Sequence, residues 1–211
     1  MVDDHPVVRQ GLKLLINQEP ELTVCGEAEN PQKAFAAIQE QHPDIAIIDL
    51  SLAHSSGIDL IKNIKLRYPG LPILVLSMHD ESLYAERALR AGARGYIMKQ
   101  EAPEKVITAI REVLQGKLYV SDAMGAKLLK QFIDRRSAAA ASSVELLSDR
   151  ELEVFQLIGK GLGTRQISEK LNISIKTVEA YRANIKEKLK LKSSSELVQH
   201  AIHWVLSEER P

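Results

Sequence analysis

Ile45-Ala46-Ile47-Ile48-Asp49 sets four apolar residues, three of them β-branched, directly before a carboxylate. The run is too short for a buried helix, so it reads as a buried strand ending on an acid. Ile73-Leu74-Val75-Leu76 repeats the plan and ends on Ser77; Gly95-Tyr96-Ile97-Met98 ends on Lys99. Leu22-Thr23-Val24-Cys25 is a fourth run, and Cys25 there reads as a small core residue. Helical spacing fills the gaps, at 7–16, 31–38, 58–66, 83–91 and 103–114. Strand–helix alternation at this pitch predicts parallel βαβ units under right-handed crossovers. The punctuation agrees: Asn30-Pro31 places a cap before Pro at a first helical position, and Gly92 follows the last residue of another helix.

With 211 residues, 45% of them hydrophobic and 27% charged, the chain can bury a core and is not disordered throughout. Aromatic residues are only 4%, so aliphatic side chains must supply that core. The longest apolar runs fall far short of the roughly 18 residues of a membrane span, and Met1-Val2-Asp3-Asp4 lacks the features of a signal peptide. A single cysteine cannot form an internal disulfide. A cytoplasmic location with no membrane partner is the expectation. The net charge of zero hides an asymmetry. Residues 1–120 carry 13 Lys/Arg against 16 Asp/Glu, whereas 160–192 carry 9 against 3. A basic segment of that kind suggests an anionic partner for the C-terminal part.

In an open parallel sheet, ligands sit beyond the carboxyl ends of the strands. Here those ends hold Asp3, Asp4, Asp49, Ser77 and Lys99. A single Asp at a strand end is ordinarily a cap or turn residue; five such groups on one rim call for chemistry. Clustered carboxylates repel one another unless a cation sits among them, and hard oxygen ligands suit Mg²⁺. A carboxylate beside Mg²⁺ can attack phosphorus and form an acyl phosphate, which a hydroxyl and an ammonium can then bind. His5, His54 and His79 have no zinc-ligand spacing and read as polar loop residues.

Ser121-Asp122 can cap a short amphipathic helix carrying Leu128, Leu129, Phe132 and Ile133. Residues 135–143 contain no large apolar side chain and read as a linker. Beyond Leu147 every signal is helical. Ser148-Asp149-Arg150-Glu151 is a capping box, a short helix spans 164–171, Asn172-Ile173-Ser174 is a tight turn, and helices follow at about 175–189 and 195–206. A tight turn before a longer basic helix suits the DNA major groove. Val178, Ile185 and Leu189 share the face that would pack on Ile167 and Leu171. The opposite side presents Lys176, Glu179, Ala180 and Ala183, with Thr177, Arg182 and Lys186 beside it. Small residues admit close approach, the cations suit phosphates, and Glu179 can accept from a cytosine amine.

These residues carry a resemblance. Val2-Asp3-Asp4-His5-Pro6, Asp49-Leu50-Ser51, Leu76-Ser77-Met78 and Gly95-Tyr96-Ile97-Met98-Lys99 resemble the receiver domain of two-component response regulators. The segments 147–154, 167–171 and 174–185 are similar to the LuxR-type helix-turn-helix. Together they resemble a NarL/FixJ-type response regulator. The resemblance implies a flavodoxin-like receiver over 1–118, with a doubly wound parallel five-stranded sheet in the order 2-1-3-4-5. It implies a linker with a short amphipathic helix over 119–143 and an all-α, four-helix DNA-binding domain over 144–211. Asp49 would accept a phosphoryl group from a sensor histidine kinase. Asp4, Asp49 and the Ser51 backbone carbonyl would hold Mg²⁺, with Asp3 assisting. Lys99, Ser77 and Tyr96 would respond to phosphorylation. The active form would be a homodimer on double-stranded promoter DNA, and the protein would not be a multiple-turnover enzyme.

Three departures stand beside this. Only Met1 and Val2 precede Asp3, so a central strand of about five residues is truncated and should leave ladder groups unpaired on both neighbours. Ala53 stands where the family usually has Pro, and Gln100 rather than Pro follows Lys99. Two other classes fit parts of the pattern. An Asp-nucleophile phosphatase would share the rim, but needs an acid two residues after the nucleophile, where Ser51 stands. A phosphorelay interaction module would share the receiver without DNA binding.

Overall fold

The run after Asp44 forms the strand its composition predicts, β1 (Ala46–Ile48). It pairs in parallel with β4 (Ile73–Ser77), which pairs in parallel with β5 (Gly95–Met98). A short antiparallel hairpin, β2 (Ser51–Leu52) and β3 (Ser55–Ser56), follows β1 directly. The computed structural model describes residues 1–52, 55–134 and 143–208. Ala53, His54 and the 135–142 linker segment lie outside them. The chain divides into two units, Met1–Arg136 and Ser137–Pro211.

In the first unit, α1 (Pro6–Asn17), α2 (Pro31–Gln41), α3 (Gly57–Arg67), α4 (Glu81–Ala91) and α5 (Pro103–Leu114) alternate with the strands. Local chemistry fixes their ends. Asn30 Oδ1 accepts from the Lys33 N–H at 2.9 Å, and Asp80 Oδ1 from the Ser82 N–H at 2.8 Å. Gly92 closes α4 with φ +110°, where a Cβ would be strained. Alternate strand residues Ile47, Leu74, Leu76 and Ile97 pack with Ile16 of α1 and Val106, Ile107, Ile110 and Val113 of α5. Each large aliphatic residue so buried contributes about 1.5–3 kcal/mol. The opposite-facing Ile48, Ile73 and Val75 are fully buried as well, so both sheet faces are covered.

The predicted five-stranded sheet is reduced to a three-stranded ladder. The first strand is present only as Val2, which bridges Ala28 on one side and Ile48 on the other. The predicted strand at 22–25 forms no ladder, because a strand exists through its neighbour and only Met1 and Val2 stand there to pair with. Cys25 is consequently exposed rather than in the core.

The amphipathic segment after Val120 forms α6 (Asp122–Asp134), capped by Ser121, whose Oγ accepts from the Met124 N–H at 3.1 Å. It lies on α4: Lys127 donates to the Ser82 carbonyl at 2.9 Å, the Ser121 N–H donates to Glu81 at 2.8 Å, and Met124 is buried. The first part of the predicted linker is thus docked on the first unit. Leu128 is half-buried, but Leu129 points outward at 66% exposure; the side chains of Phe132 and Ile133 lie outside the described set.

The second unit contains α7 (Asp149–Gly159), α8 (Thr164–Leu171), α9 (Ile175–Lys188) and α10 (Ser194–Glu208). The Ser148–Glu151 capping box is formed reciprocally. Phe155 is at the centre, with Trp204 of α10 at 5.6 Å between ring centroids. Ile167, Val178 and Ile185 are fully buried around it. Val178 and Ile185 therefore face inward as predicted, and Leu189 is half-buried.

Candidate functional site

β1 leads into Asp49, Val2 into Asp3, and β5 into Lys99, so parallel pairing carries these side chains to one rim. There the Lys99 ammonium donates to Asp3 Oδ2 at 2.6 Å and to Asp49 Oδ2 at 2.7 Å. All three side chains are less than 10% exposed. Burying two carboxylates around one ammonium leaves a net negative charge in a poor solvent for it. Burial accordingly pushes the Asp49 carboxyl above its ordinary range, although Lys99 pulls the other way. Burial disfavours the Lys99 ammonium, but Asp49 and Asp3 outweigh it and hold its pKa above the usual lysine value. Two carboxylates and one ammonium thus share one buried site.

Asp4 is on the wetter side, 22% exposed, with His5 Nδ1 2.8 Å from its Oδ1. Ligand atoms of Asp3, Asp4, His5 and Asp49 all lie within 4.8 Å of one another. Three clustered carboxylates with one partly exposed member suit a hard divalent cation that keeps several waters. Sequence reasoning set His5 aside; its ring reaches Asp4 Oδ1, and its backbone N–H donates to Asp3 Oδ1 at 2.8 Å. Its signal was adjacency in Asp3-Asp4-His5.

The loop after Asp49 is held closely. The Ser51 N–H donates to Asp49 Oδ1 at 3.2 Å, and the Gly57 N–H donates to the Leu50 carbonyl at 3.0 Å. A Cβ on Gly57 would sit 2.3 Å from the Asp49 carbonyl oxygen, so only glycine admits this approach. Ser51 pairs with Ser56 and Leu52 with Ser55 in the β2–β3 ladder.

Ser77 is fully buried at the end of β4, and its Oγ accepts from the His79 N–H at 3.2 Å. Tyr96 is buried with its hydroxyl donating to the His79 carbonyl at 2.9 Å; burial pushes the phenol far above its usual pKa, so it stays protonated. His79 also places Nε2 2.8 Å from Ser51 Oγ and stacks on Tyr84 of α4 at 4.4 Å. This histidine, expected as surface, joins the Asp49 loop, Ser77, Tyr96 and α4. Its place two residues beyond a strand-end serine was the only sequence signal.

In the second unit α8, the turn and α9 form the helix-turn-helix. Asn172 turns with φ +50°, and Ser174 caps α9 by accepting from the Thr177 N–H at 3.0 Å. Lys176, Glu179, Ala180 and Ala183 are exposed; Thr177, Arg182 and Lys186 are half-buried. The Thr177 hydroxyl is engaged with Ser174 Oγ at 2.7 Å, which lessens its availability to a ligand. Among the described residues Lys176, Arg182 and Lys186 have no carboxylate partner. Lys188, in contrast, donates to buried Glu151 at 2.6 Å and ties α9 to α7. Burial alone would raise the Glu151 carboxyl, but Lys188 and the Ser148 cap outweigh it and hold it below the ordinary range.

Residues 1–111 match the response regulator receiver domain, and residues 145–201 match the luxR family of bacterial regulatory proteins. Among curated relatives, the oxygen regulatory protein NreC of Staphylococcus epidermidis is 38% identical over 99% of this chain and 98% of its own length. NreC of Staphylococcus carnosus is 38% identical over 96% and 95%. Among solved structures, RcsB of Salmonella enterica serovar Typhimurium, bound to promoter rprA with the phosphomimetic BeF3⁻, is similar at a TM-score of 0.59 and 28% identity, covering 95% of each chain. A LuxR-family two-component response regulator from Aurantimonas sp. SI85-9A1 gives a TM-score of 0.58 at 33% identity, over 63% of this chain and 94% of that one.

Proposed function

The chain belongs to the response regulators that join a receiver domain to a LuxR-type DNA-binding domain, and from that premise we propose that phosphorylation of Asp49 controls its binding to promoter DNA. The observation that carries the assignment is the buried Asp3–Lys99–Asp49 arrangement beside Asp4. A sensor histidine kinase supplies the phosphoryl group as a phosphohistidine. An Asp49 carboxylate oxygen attacks phosphorus, the P–N bond breaks, and the freed imidazole takes up a proton. Lys99, already on Asp49, shifts to the transferred oxygens. Asp4, Asp49 and the Ser51 carbonyl would hold Mg²⁺, with Asp3 assisting, and the ion when bound neutralises charge between acceptor and donor. The phosphoryl group remains on the protein, which makes it a regulator rather than an enzyme with turnover.

The added charge, about −1.5 to −2, draws the Ser77 hydroxyl and Lys99 toward it. Ser77 bonds His79, and His79 bonds Ser51 and Tyr96 and stacks on Tyr84, so movement of Ser77 repacks the Tyr96–α4 surface that α6 covers. Such repacking biases a homodimer, which presents two α9 helices to half-sites about one helical turn apart. Lys176, Arg182 and Lys186 serve phosphates there, while Glu179, Ala180 and Ala183, with Thr177 in a lesser role, face the groove. The test is a duplex-binding titration with and without acetyl phosphate and Mg²⁺, on a site selected from random DNA. Phosphorylation should tighten binding, and Asp49→Asn should abolish the response. Equal affinity in all arms would overturn the proposal.

A further inference from the structure

Asp3 is gripped at each of its polar atoms. Its N–H donates to the Ala28 carbonyl at 3.0 Å. Its carboxylate accepts from the His5 N–H at 2.8 Å through Oδ1 and from Lys99 at 2.6 Å through Oδ2. Its carbonyl accepts from Arg9 Nη1 at 2.6 Å, a bond that reaches back to the rim from the first turn of α1. That carbonyl belongs to the planar Asp3–Asp4 peptide. Holding its oxygen fixes the orientation of the plane, and with it the direction in which Asp4 leaves the chain. Asp4 is 22% exposed, and the His5 ring that meets its Oδ1 is 65% exposed. An ion contact so open to water holds a side chain only weakly.

Arg9 is itself pinned. Its side chain is 14% exposed, and its Nε lies 3.8 Å from Glu27 Oε2. Glu27 in turn accepts from Lys13 at 2.6 Å through Oε1. Glu27 directly precedes Ala28, so one short segment both takes the Asp3 N–H and anchors the guanidinium. A guanidinium suits this task, because its planar fork serves acceptors on two sides while staying charged. A lysine ammonium carries the same charge without the fork.

We propose that Arg9 is a positioning residue for the divalent cation: through the Asp3–Asp4 peptide it aims Asp4 at the ion site shared with Asp49, without touching the ion. The inference rests on the Mg²⁺ reading of the rim given above. Charge and geometry make opposite demands at this position. As a cation near three carboxylates, Arg9 repels Mg²⁺, so its removal would tighten binding if charge were its only role. As the hold on the peptide, its removal frees Asp4 to swing away and weakens binding. Groups that orient metal ligands typically carry about 10- to 100-fold in metal affinity, so geometry outweighs charge here.

The test is calorimetric titration of MgCl₂ into the full chain and three variants, Arg9→Met, Arg9→Lys and Lys13→Met. Arg9→Met should raise the Kd for Mg²⁺ about tenfold, and Arg9→Lys should raise it at least roughly threefold although the charge is kept. Lys13→Met removes an equal charge one turn further along α1 and should stay within about twofold of the parent. The Mg²⁺ concentration that half-saturates labelling by acetyl phosphate should rise in parallel with Kd. Arg9→Lys, which keeps charge and most of the stem, carries the test if Arg9→Met does not fold. Unchanged or tighter Mg²⁺ binding in Arg9→Lys, or an equal loss in Lys13→Met, would overturn this proposal and leave the Mg²⁺ reading standing. A parent chain that binds no Mg²⁺ would overturn both.

Discussion

Replacing Lys99 with Met removes the single ammonium between Asp3 and Asp49 while keeping most of the side-chain volume. Two charge-assisted hydrogen bonds are lost, at 2.6 and 2.7 Å, from groups that are 2–3% exposed as carboxylates and 9% as the lysine. Breaking a buried ion pair by deleting one partner costs about 3–5 kcal/mol. Asp49 can relieve part of this by taking a proton, since burial already raises its carboxyl and Lys99 no longer opposes that. A net loss of roughly 3 kcal/mol at neutral pH follows, or about 10 °C in the melting of the receiver unit. The pH dependence has a definite sign. An acid whose folded pKa is raised carries no penalty below its unfolded value, near pH 4, and a growing one as pH rises through the folded value. The deficit should therefore shrink near pH 5 and be largest near pH 8. Mg²⁺ should restore more stability to Lys99→Met than to the parent, because the ammonium no longer competes for the carboxylates. Differential scanning calorimetry reads this, with the fluorescence of the single Trp204 identifying the helical unit as an unchanged reference. An unchanged receiver transition, or a deficit that grows on acidification, would refute the reasoning.

On the DNA-binding unit, Lys176→Ala should weaken binding to all duplexes alike, whereas Glu179→Ala should relax base preference at one position; competition titrations at two salt concentrations separate these. Glu151→Gln should destabilise the helical unit by about 1–2 kcal/mol, read by Trp204 fluorescence, because Lys188 loses its charged partner. Glu151 has a depressed carboxyl, so its contribution is present above the unfolded pKa, near pH 4.3, and is lost as pH falls through the folded value. Acidification should thus narrow the gap between parent and Glu151→Gln. Gly57→Ala forces the added Cβ against the Asp49 carbonyl and Leu50 Cα. It should cost about 1–3 kcal/mol and slow phosphorylation of Asp49, measurable by thermal melting and by labelling rate.

Helices were the most legible part of the chain because their signals are local. Asn30-Pro31, the Ser148–Glu151 box and Ser174 each cap a helix through side chains within three residues of the backbone they bind. The strand expected at 22–25 fared otherwise, since pairing depends on a neighbour that occupies only two residues. The rim residues were readable because strand order and strand ends place Asp3, Asp49 and Lys99 together whatever the loops do. The role of His79 was not readable, because Ser51, Tyr84 and Tyr96 reach it from three other segments of the chain. Leu129 escaped the amphipathic reading of α6 because one helix face met α4 through Met124, leaving 129 in solvent.

The acidic rim is tested most directly by intact-mass analysis after incubation with acetyl phosphate and Mg²⁺. The parent chain should gain the mass of one phosphoryl group, labile to base and to hydroxylamine as an acyl phosphate, with the modified peptide containing Asp49. Asp49→Asn should gain none. Labelling that persists in Asp49→Asn, or that maps to a residue away from Asp3, Asp4 and Lys99, would contradict the account.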